Sequence, residues 1–414
     1  MLTRHHLGSG LPAVVCLLIV IGLTPSLLAG HTSDQLNSLE LQTLQTALQT
    51  TLDDLRQTSG FPGATLALQL PDGSHCELAV GFADPDSSAA MTPRGRMFTG
   101  SAGKTFVAAV ALQLVAEGKL ALEDPLSKYF GDEPWFADLP NHDRITVYRL
   151  MTHTSGLPRY VFKEAFWAAV WENPDRVWRP EECITFILGD EPLSEVGAAW
   201  NYSDTNFILL GMIIEQLCGA TYYDELQRRI LDPLELHDTT PSRGRELDGL
   251  VAGISGDSPP ISIPERVLVD GRYVFDPQWE WTGGGLVTTS HDLAKWAQAL
   301  YGGKVLAARM TARMKEAVST ETGKRADDGY GLGVQVWTTD WGVAYGHGGI
   351  FPGYQTQMEY LPRFDCALAL QINADRMSGR LDKGLHDYLL ALWPVVTEFV
   401  SSHLPEYERR TQMR

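Results

Sequence analysis

Strand-like segments lie at the two ends of this chain, and the long stretch between them reads as helices and loops. Near the N-terminus Ala64 to Leu70 alternates as a strand, Pro71-Asp72-Gly73 marks a turn, and Cys76 to Phe82 completes a hairpin. Strand character returns after Gly283-Gly284-Gly285, where Gly331 to Thr338, Trp341 to Gly346, Tyr354 to Leu361 and Cys366 to Asn373 read as a β-meander. Between them, Ala121 to about Asp276 contains helical segments at Ile145 to Met151, Phe162 to Glu172, Glu181 to Leu188 and Thr205 to Leu217. One sheet can bury both sets of strands only if the ends of the chain meet. The predicted class is therefore α/β of the α+β kind: an antiparallel sheet flanked by helices, with an inserted, mostly helical domain. Residues 31–120 and 280–400 are expected to form the discontinuous sheet domain and 121–279 the helical one, with 401–414 a loose C-terminal tail. A pocket between two such domains is expected. The flanking helices are Ser33 to Thr58, with leucines at 36, 39, 44, 48, 52 and 55, and Leu381 to Val400.

A chain of 414 residues with 44% hydrophobic and 20% charged residues has ample material for a buried core. The net charge of −18 is spread along the chain, which argues against nucleic acid as a partner. At the N-terminus Arg4 precedes an apolar stretch, Leu11 to Leu23, followed by Thr24-Pro25-Ser26 and the small residues Ala29-Gly30. Residues 1–30 thus read as a cleaved export signal, which places the protein in the periplasm or outside the cell. The other open reading is an N-terminal anchor, giving membrane association, though the stretch is short for a span of roughly 20 residues. Cys76, Cys183, Cys218 and Cys366 follow the signal region at wide spacing, and three connectivities are open to them. No CxxC and no His/Cys cluster in the linear sequence marks a metal site.

Ser101 opens a run, Thr105 to Glu117, that reads as an amphipathic helix, and Lys104 follows it at the third position. Residues three apart on a helix share a face, so a hydroxyl and an amine stand side by side at the positive end of the helix dipole. That is one way to activate a serine without a histidine. Alone, the pair is a weak signal, because a helix-starting serine is more often an N-cap. Two further segments strengthen it: Tyr202-Ser203-Asp204 just before the helix at Thr205, and His347-Gly348-Gly349 between two strand candidates.

In that order, S-x-x-K, Y-x-polar and H-x-G, the chain resembles the serine β-lactamase and penicillin-binding family. It is most similar to the branch containing class C β-lactamases, D-alanyl-D-alanine carboxypeptidases, D-amino-acid amidases and esterases. Other stretches carry the same resemblance, among them Phe61-Pro62-Gly63-Ala64, Leu150 to Pro158, Asp232-Pro233-Leu234 and Gly283 to Leu286 with Asp292-Leu293-Ala294. The resemblance implies a β-lactamase/transpeptidase-like fold over roughly residues 35–400. It also implies that Ser101 is acylated, that Lys104 is its proton partner, and that Tyr202 is the second half of the base and later the acid. His347 would stand where relatives carry a substrate-binding lysine, with Gly348 and Gly349 lying along the substrate. The backbone N–H groups of Ser101 and Ile350 would form the oxyanion hole. His153 belongs to a stretch read as structural.

The implied function is a cofactor-free serine hydrolase acting through an acyl-enzyme on a peptide-like amide or small ester. A D-alanyl-D-alanine carboxypeptidase role comes first, an esterase or D-amino-acid peptidase second. One position departs from the family pattern. Asp204 replaces the usual asparagine, whose amide donates to a substrate carbonyl, whereas a carboxylate only accepts. Asp204 suits an anchor for Lys104 and disfavours a class C-type β-lactamase. A phosphate-binding loop ending in Gly103-Lys104-Thr105 is excluded because Phe98 stands where its first glycine belongs. A non-catalytic binding protein on the same fold is the remaining alternative.

Overall fold

Asn37 opens the first helix, α1 (Ser38–Ser59), by a capping box with Glu40, and Gly60 at φ +76° closes it. Its leucines at 44, 48, 52 and 55 form one buried stripe, while Leu39 points into solvent. The structure, a computed structural model, describes residues 36–259 and 261–411. The export-signal and anchor readings, and the start of the first helix at Ser33, lie outside the described residues. Among those described, no helix is long and apolar enough to cross a membrane.

The hairpin forms as β1 (Gly63–Gln69) and β2 (His75–Asp84). A 3₁₀ turn, Gly100–Gly103, runs into α2 (Lys104–Ala116). Here the structure corrects the amphipathic expectation: every residue from Lys104 to Leu112 is buried. A helix surrounded by protein has no solvent face and so no stripe. In the inserted region α3 (Asp204–Cys218) is the longest helix, and short strand pairs such as Leu268–Val269 with Arg272–Tyr273 join the helices expected there. After a short strand, Leu286–Thr288, α4 (Ser290–Tyr301) forms where the pattern suggested only strands; Thr289 caps it by accepting from the Asp292 N–H.

The C-terminal strands are β3 (Gln335–Thr339), β4 (Gly342–Phe351), β5 (Tyr354–Leu361) and β6 (Cys366–Ile372). β3 begins later than expected because Gly331 to Val334 forms a turn, with Gly333 at φ +74°. His347-Gly348-Gly349, expected between two strands, lies inside β4. The main sheet has ten strands among the described residues, all antiparallel, and β3 to β6 continue directly into β1 and β2. The ends of the chain meet where Ala64 pairs with Ile372 and Gln69 with Ala367.

All seven residues of β1 are buried, so the sheet is covered on both faces. Leu66, Leu68 and Leu70 pack with the α1 leucines and with Leu389, Leu392 and Trp393 of α5 (Leu385–His403). Ala67 and Ala369 turn the other way, into the core of α2 and α4, where small side chains let the helices approach. Within the tail expected to be loose, α5 runs to His403 and α6 (Pro405–Thr411) follows, with Leu404 buried between them and Tyr407 packed on the α1/α5 core. Among the described residues all four cysteines are free thiols, and Cys76, Cys183 and Cys366 are buried, so none of the three connectivities is realised.

Candidate active site

Ser101 sits in the 3₁₀ turn that feeds α2, wedged between two backbones. Gly100 has φ +48°, and a Cβ there would lie 2.6 Å from the Ile350 nitrogen. On the other side, a Cβ on Gly284 would lie 2.1 Å from the Gly100 carbonyl oxygen. Only glycine fits either position, and the two contacts fix the serine against β4.

One turn on, the Lys104 side chain is fully buried. Its ammonium donates to Ser101 Oγ at 3.1 Å, Asp204 Oδ1 at 2.7 Å and the Gly283 carbonyl at 2.5 Å. Asp204 begins α3, and its second oxygen accepts from Arg159 Nε at 2.9 Å and Nη2 at 2.7 Å. Burial works against the Asp204 carboxylate, but Arg159 and Lys104 outweigh it and hold its pKa well below the usual range. Burial likewise works to lower the Lys104 pKa, yet Asp204 together with Tyr202 and Glu280 outweighs it and the net shift is upward. Lys104 is therefore a cation in the resting site, and the environment does not prepare it as a free amine.

The Tyr202 ring lies beside this cation, with Lys104 Nζ 5.1 Å and the Arg159 guanidinium 5.3 Å from its centroid. Its hydroxyl is buried and completes no well-aligned hydrogen bond, although it lies near enough for Ser101 to lower its pKa. Burial raises that pKa more than Lys104 depresses it, so the phenol too is protonated at neutral pH. His153 supports the segment from behind. Its ring packs 4.1 Å from Tyr202, its Nδ1 accepts from the Ser203 N–H and the Asn206 amide, and its carbonyl accepts from the Asn201 N–H. Burial and Lys104 hold the imidazole neutral.

β4 forms the opposite wall. β3 pairs with it only as far as Gly346, so the edge from His347 onward is open on that side. The alternation of the ladder turns the N–H groups of Gly348 and Ile350 to this edge. Gln335 Oε1 accepts from Gly348 at 2.8 Å, and the Ile350 N–H faces the site. Ser101 supplies a second N–H from the first turn, where no intrahelical acceptor exists. His347, expected where relatives carry a substrate-binding lysine, is held here as an uncharged ring. Its Nδ1–H donates to the Gly348 carbonyl at 2.5 Å, its Nε2 accepts from Tyr330 at 2.8 Å, and burial pushes its pKa down to about 3.

Two chambers meet at Ser101. One, about 370 Å³, is lined by polar groups including Gln335, Gln357, Tyr202 and His347. The other, about 230 Å³, is walled by Phe162, Trp167, Trp279 and Phe351, with Glu280 and Asp204. Ser101, Arg159, Ile350 and Arg376 border both.

The family model described as Beta-lactamase matches residues 48–391. The chain belongs to the Beta-lactamase family. Its fold matches the D-amino acid amidase of Ochrobactrum anthropi SV3, a structure complexed with L-phenylalanine amide, with a TM-score of 0.72 and 25% identity. The match covers 86% of this chain and 99% of the amidase. A D-stereospecific amidohydrolase from Streptomyces sp. matches at TM-score 0.67 and 29% identity, over 81% of this chain and 95% of that one. Protein flp of Staphylococcus aureus (strain MW2) is 26% identical over 257 residues, 61% of this chain. The chain spans about half of flp, 48% of its length. Like other members of the Beta-lactamase family in fold, it has a large antiparallel sheet flanked by helices with an inserted helical region.

The structure brings together Ser101, Lys104, Tyr202, Asp204, His347, Gly348, Gly349 and Ile350. Sequence reasoning missed Arg159, Gln335 and Glu280. Arg159 follows the quoted Leu157-Pro158 stretch, but nothing local pairs it with Asp204, 45 positions away. Outside the chambers, His75, Glu77 and His291 bring three ligand atoms within 4.8 Å of one another. The linear sequence hides this trio because β2 and α4 meet only in the fold.

Proposed function

We propose that this protein is a serine hydrolase that acts through an acyl-enzyme on D-amino-acid amides or short peptides. The observation that carries the reading is Ser101 Oγ, 3.1 Å from the Lys104 ammonium, at the mouth of an aromatic chamber sized for one acyl unit. The amidase resemblance over nearly the whole of that relative supports the same substrate class. In this reading Ser101 Oγ attacks the amide carbon. Its proton passes to the Lys104–Tyr202 pair once that pair has lost one of its own. The carbonyl oxygen gathers charge against the Ser101 and Ile350 N–H groups, each such donor contributing about 3 kcal/mol. The C–N bond breaks as Tyr202 returns a proton to the amine. Water then attacks the ester and releases the acid, with Ser101 reprotonated.

Asp204 gives β-lactams a poor reception: both its oxygens are taken by Lys104 and Arg159, and neither can donate to an acylamide carbonyl. A D-alanyl-D-alanine carboxypeptidase role is the second reading, favoured by Arg376, an exposed cation bordering both chambers that suits a terminal carboxylate. The N-terminal apolar stretch supports export as the setting for either substrate. The test is kcat/KM for D- and L-phenylalanine amide, a D-Ala-D-Ala peptide, nitrocefin and p-nitrophenyl esters. The proposal expects D-phenylalanine amide to lead; a D-Ala-D-Ala peptide in front selects the second reading.

A further inference from the structure

Seven acidic side chains are buried among the described residues, and six have partners. Asp204 is held by Lys104 and Arg159, Glu225 by Arg228 and Arg229, and Glu359 by Trp393 and His386. Asp276 accepts from the Gly244 and Gln278 N–H groups, Asp292 from Thr239 and the Asp238 N–H, and Asp375 from Ser255 and the Gly353 N–H. The seventh is Glu280. Its residue is 7% exposed, its Oε2 is sealed with no hydrogen-bond partner, and no described residue donates to its other oxygen. A buried carboxyl left this way costs roughly 1–3 kcal/mol, more if ionised. Such a cost persists where a ligand repays it.

The surroundings say what that ligand is. Glu280 lines the aromatic chamber that opens at Ser101. Phe162, Trp167, Trp279 and Phe351 line it with aromatic surface, which suits an apolar side chain and can also attract an organic cation. Lys104, whose charge reaches Glu280, and Arg159, which borders the chamber, are both engaged elsewhere, since each pairs with Asp204. Burial pushes the Glu280 carboxyl up to about 8 against the pull of Lys104, which favours its protonated form at neutral pH. An entering ammonium supplies the counter-charge that lets it ionise.

We infer that Glu280 is the recognition group for a free α-ammonium on the acyl half of the substrate, so that the aromatic chamber selects an unblocked aminoacyl unit with an aromatic or large apolar side chain. The inference rests on the hydrolase reading for its biological meaning, though the binding it describes requires no turnover. It narrows the substrate to amides whose acyl residue is a chain's first amino acid. N-acylated donors, including internal peptide positions, are excluded by the same carboxyl.

The test uses three acyl groups on one amide leaving group: D-phenylalanine amide, N-acetyl-D-phenylalanine amide and 3-phenylpropanamide, which lacks the amine. Binding of each to Ser101→Ala is measured by calorimetry, and kcat/KM is measured on the unmodified protein. The free amine is expected to bind at least tenfold more tightly than either comparator and to show the highest kcat/KM. In Glu280→Gln, an isosteric neutral change, the ratio of amine to des-amino substrate should collapse towards one. Equal or tighter binding of the acetylated compound to Ser101→Ala overturns the inference, as does an unchanged ratio in Glu280→Gln. If Glu280→Gln fails to fold, the three-ligand comparison on Ser101→Ala decides alone. Failure of the hydrolase reading looks different: p-nitrophenyl acetate is then not cleaved at all, while the binding comparison still reports on Glu280.

Discussion

The Lys104 ammonium meets the Asp204 carboxylate at 2.7 Å, with the lysine side chain fully buried and the aspartate nearly so. This pair, completed by Arg159, sets the charge of the candidate site. Removing one member of a buried ion pair costs about 3–5 kcal/mol, because the other charge is left unpaired. Asp204→Asn should therefore lower the thermal midpoint by several degrees and cut kcat/KM at least a hundredfold. Because the Asp204 pKa is depressed on folding, its contribution is present above the unfolded carboxylate pKa and is lost as pH falls through the folded one. The stability deficit of the variant should thus be full at pH 7 and narrow only in strong acid. An unchanged midpoint would count against the pair as a structural element.

Proton inventory leads to a second expectation. Lys104 and Tyr202 both have pKa values raised above their ordinary ones, so the resting site carries one proton too many at pH 7. kcat/KM on a stable ester should rise with pH into the alkaline range, since that parameter reports the free enzyme. A plateau already reached by pH 7 would contradict the assignment. His347 is neutral well below pH 5 and should contribute no limb of its own.

His153 acts at one remove, through the segment that carries Tyr202. His153→Ala should lower kcat/KM about tenfold to a hundredfold, and the loss should be strongly non-additive with Tyr202→Phe. His153→Gln, whose amide oxygen can take the Nδ1 acceptor role, should restore part of the activity. Additive losses would mean that His153 matters to stability alone.

Much of this site was legible because its parts are local. Ser101 and Lys104 lie one helical turn apart, and spacing alone puts them side by side. The α1 leucines and the Pro71-Asp72-Gly73 turn likewise carry their structure in a few residues. What stayed hidden is long-range or two-sided. α2 is buried all round, and its burial on every face comes from elements distant in sequence, so the amphipathic reading of the run missed it. Gly348 and Gly349 were expected along the substrate but between two strands; they lie instead within β4, in the part that β3 leaves unpaired. Arg159, Glu280 and Asp204 come from three separate stretches, and no periodicity connects them.

Lys104 and Tyr202 offer a direct check of the shared-proton account. Lys104→Ala and Tyr202→Phe should each remove most activity, while the double variant should be little worse than either single one. Losses that multiply would indicate two independent roles.

The central claim is that Ser101 becomes covalently acylated, and intact-mass analysis after a fluorophosphonate probe tests it most directly. The account predicts one adduct, mapped to the Ser101 peptide, appearing in step with loss of hydrolysis and absent from Ser101→Ala. Hydrolysis that persists in Ser101→Ala, or inactivation with the adduct mapped to another residue, would contradict it.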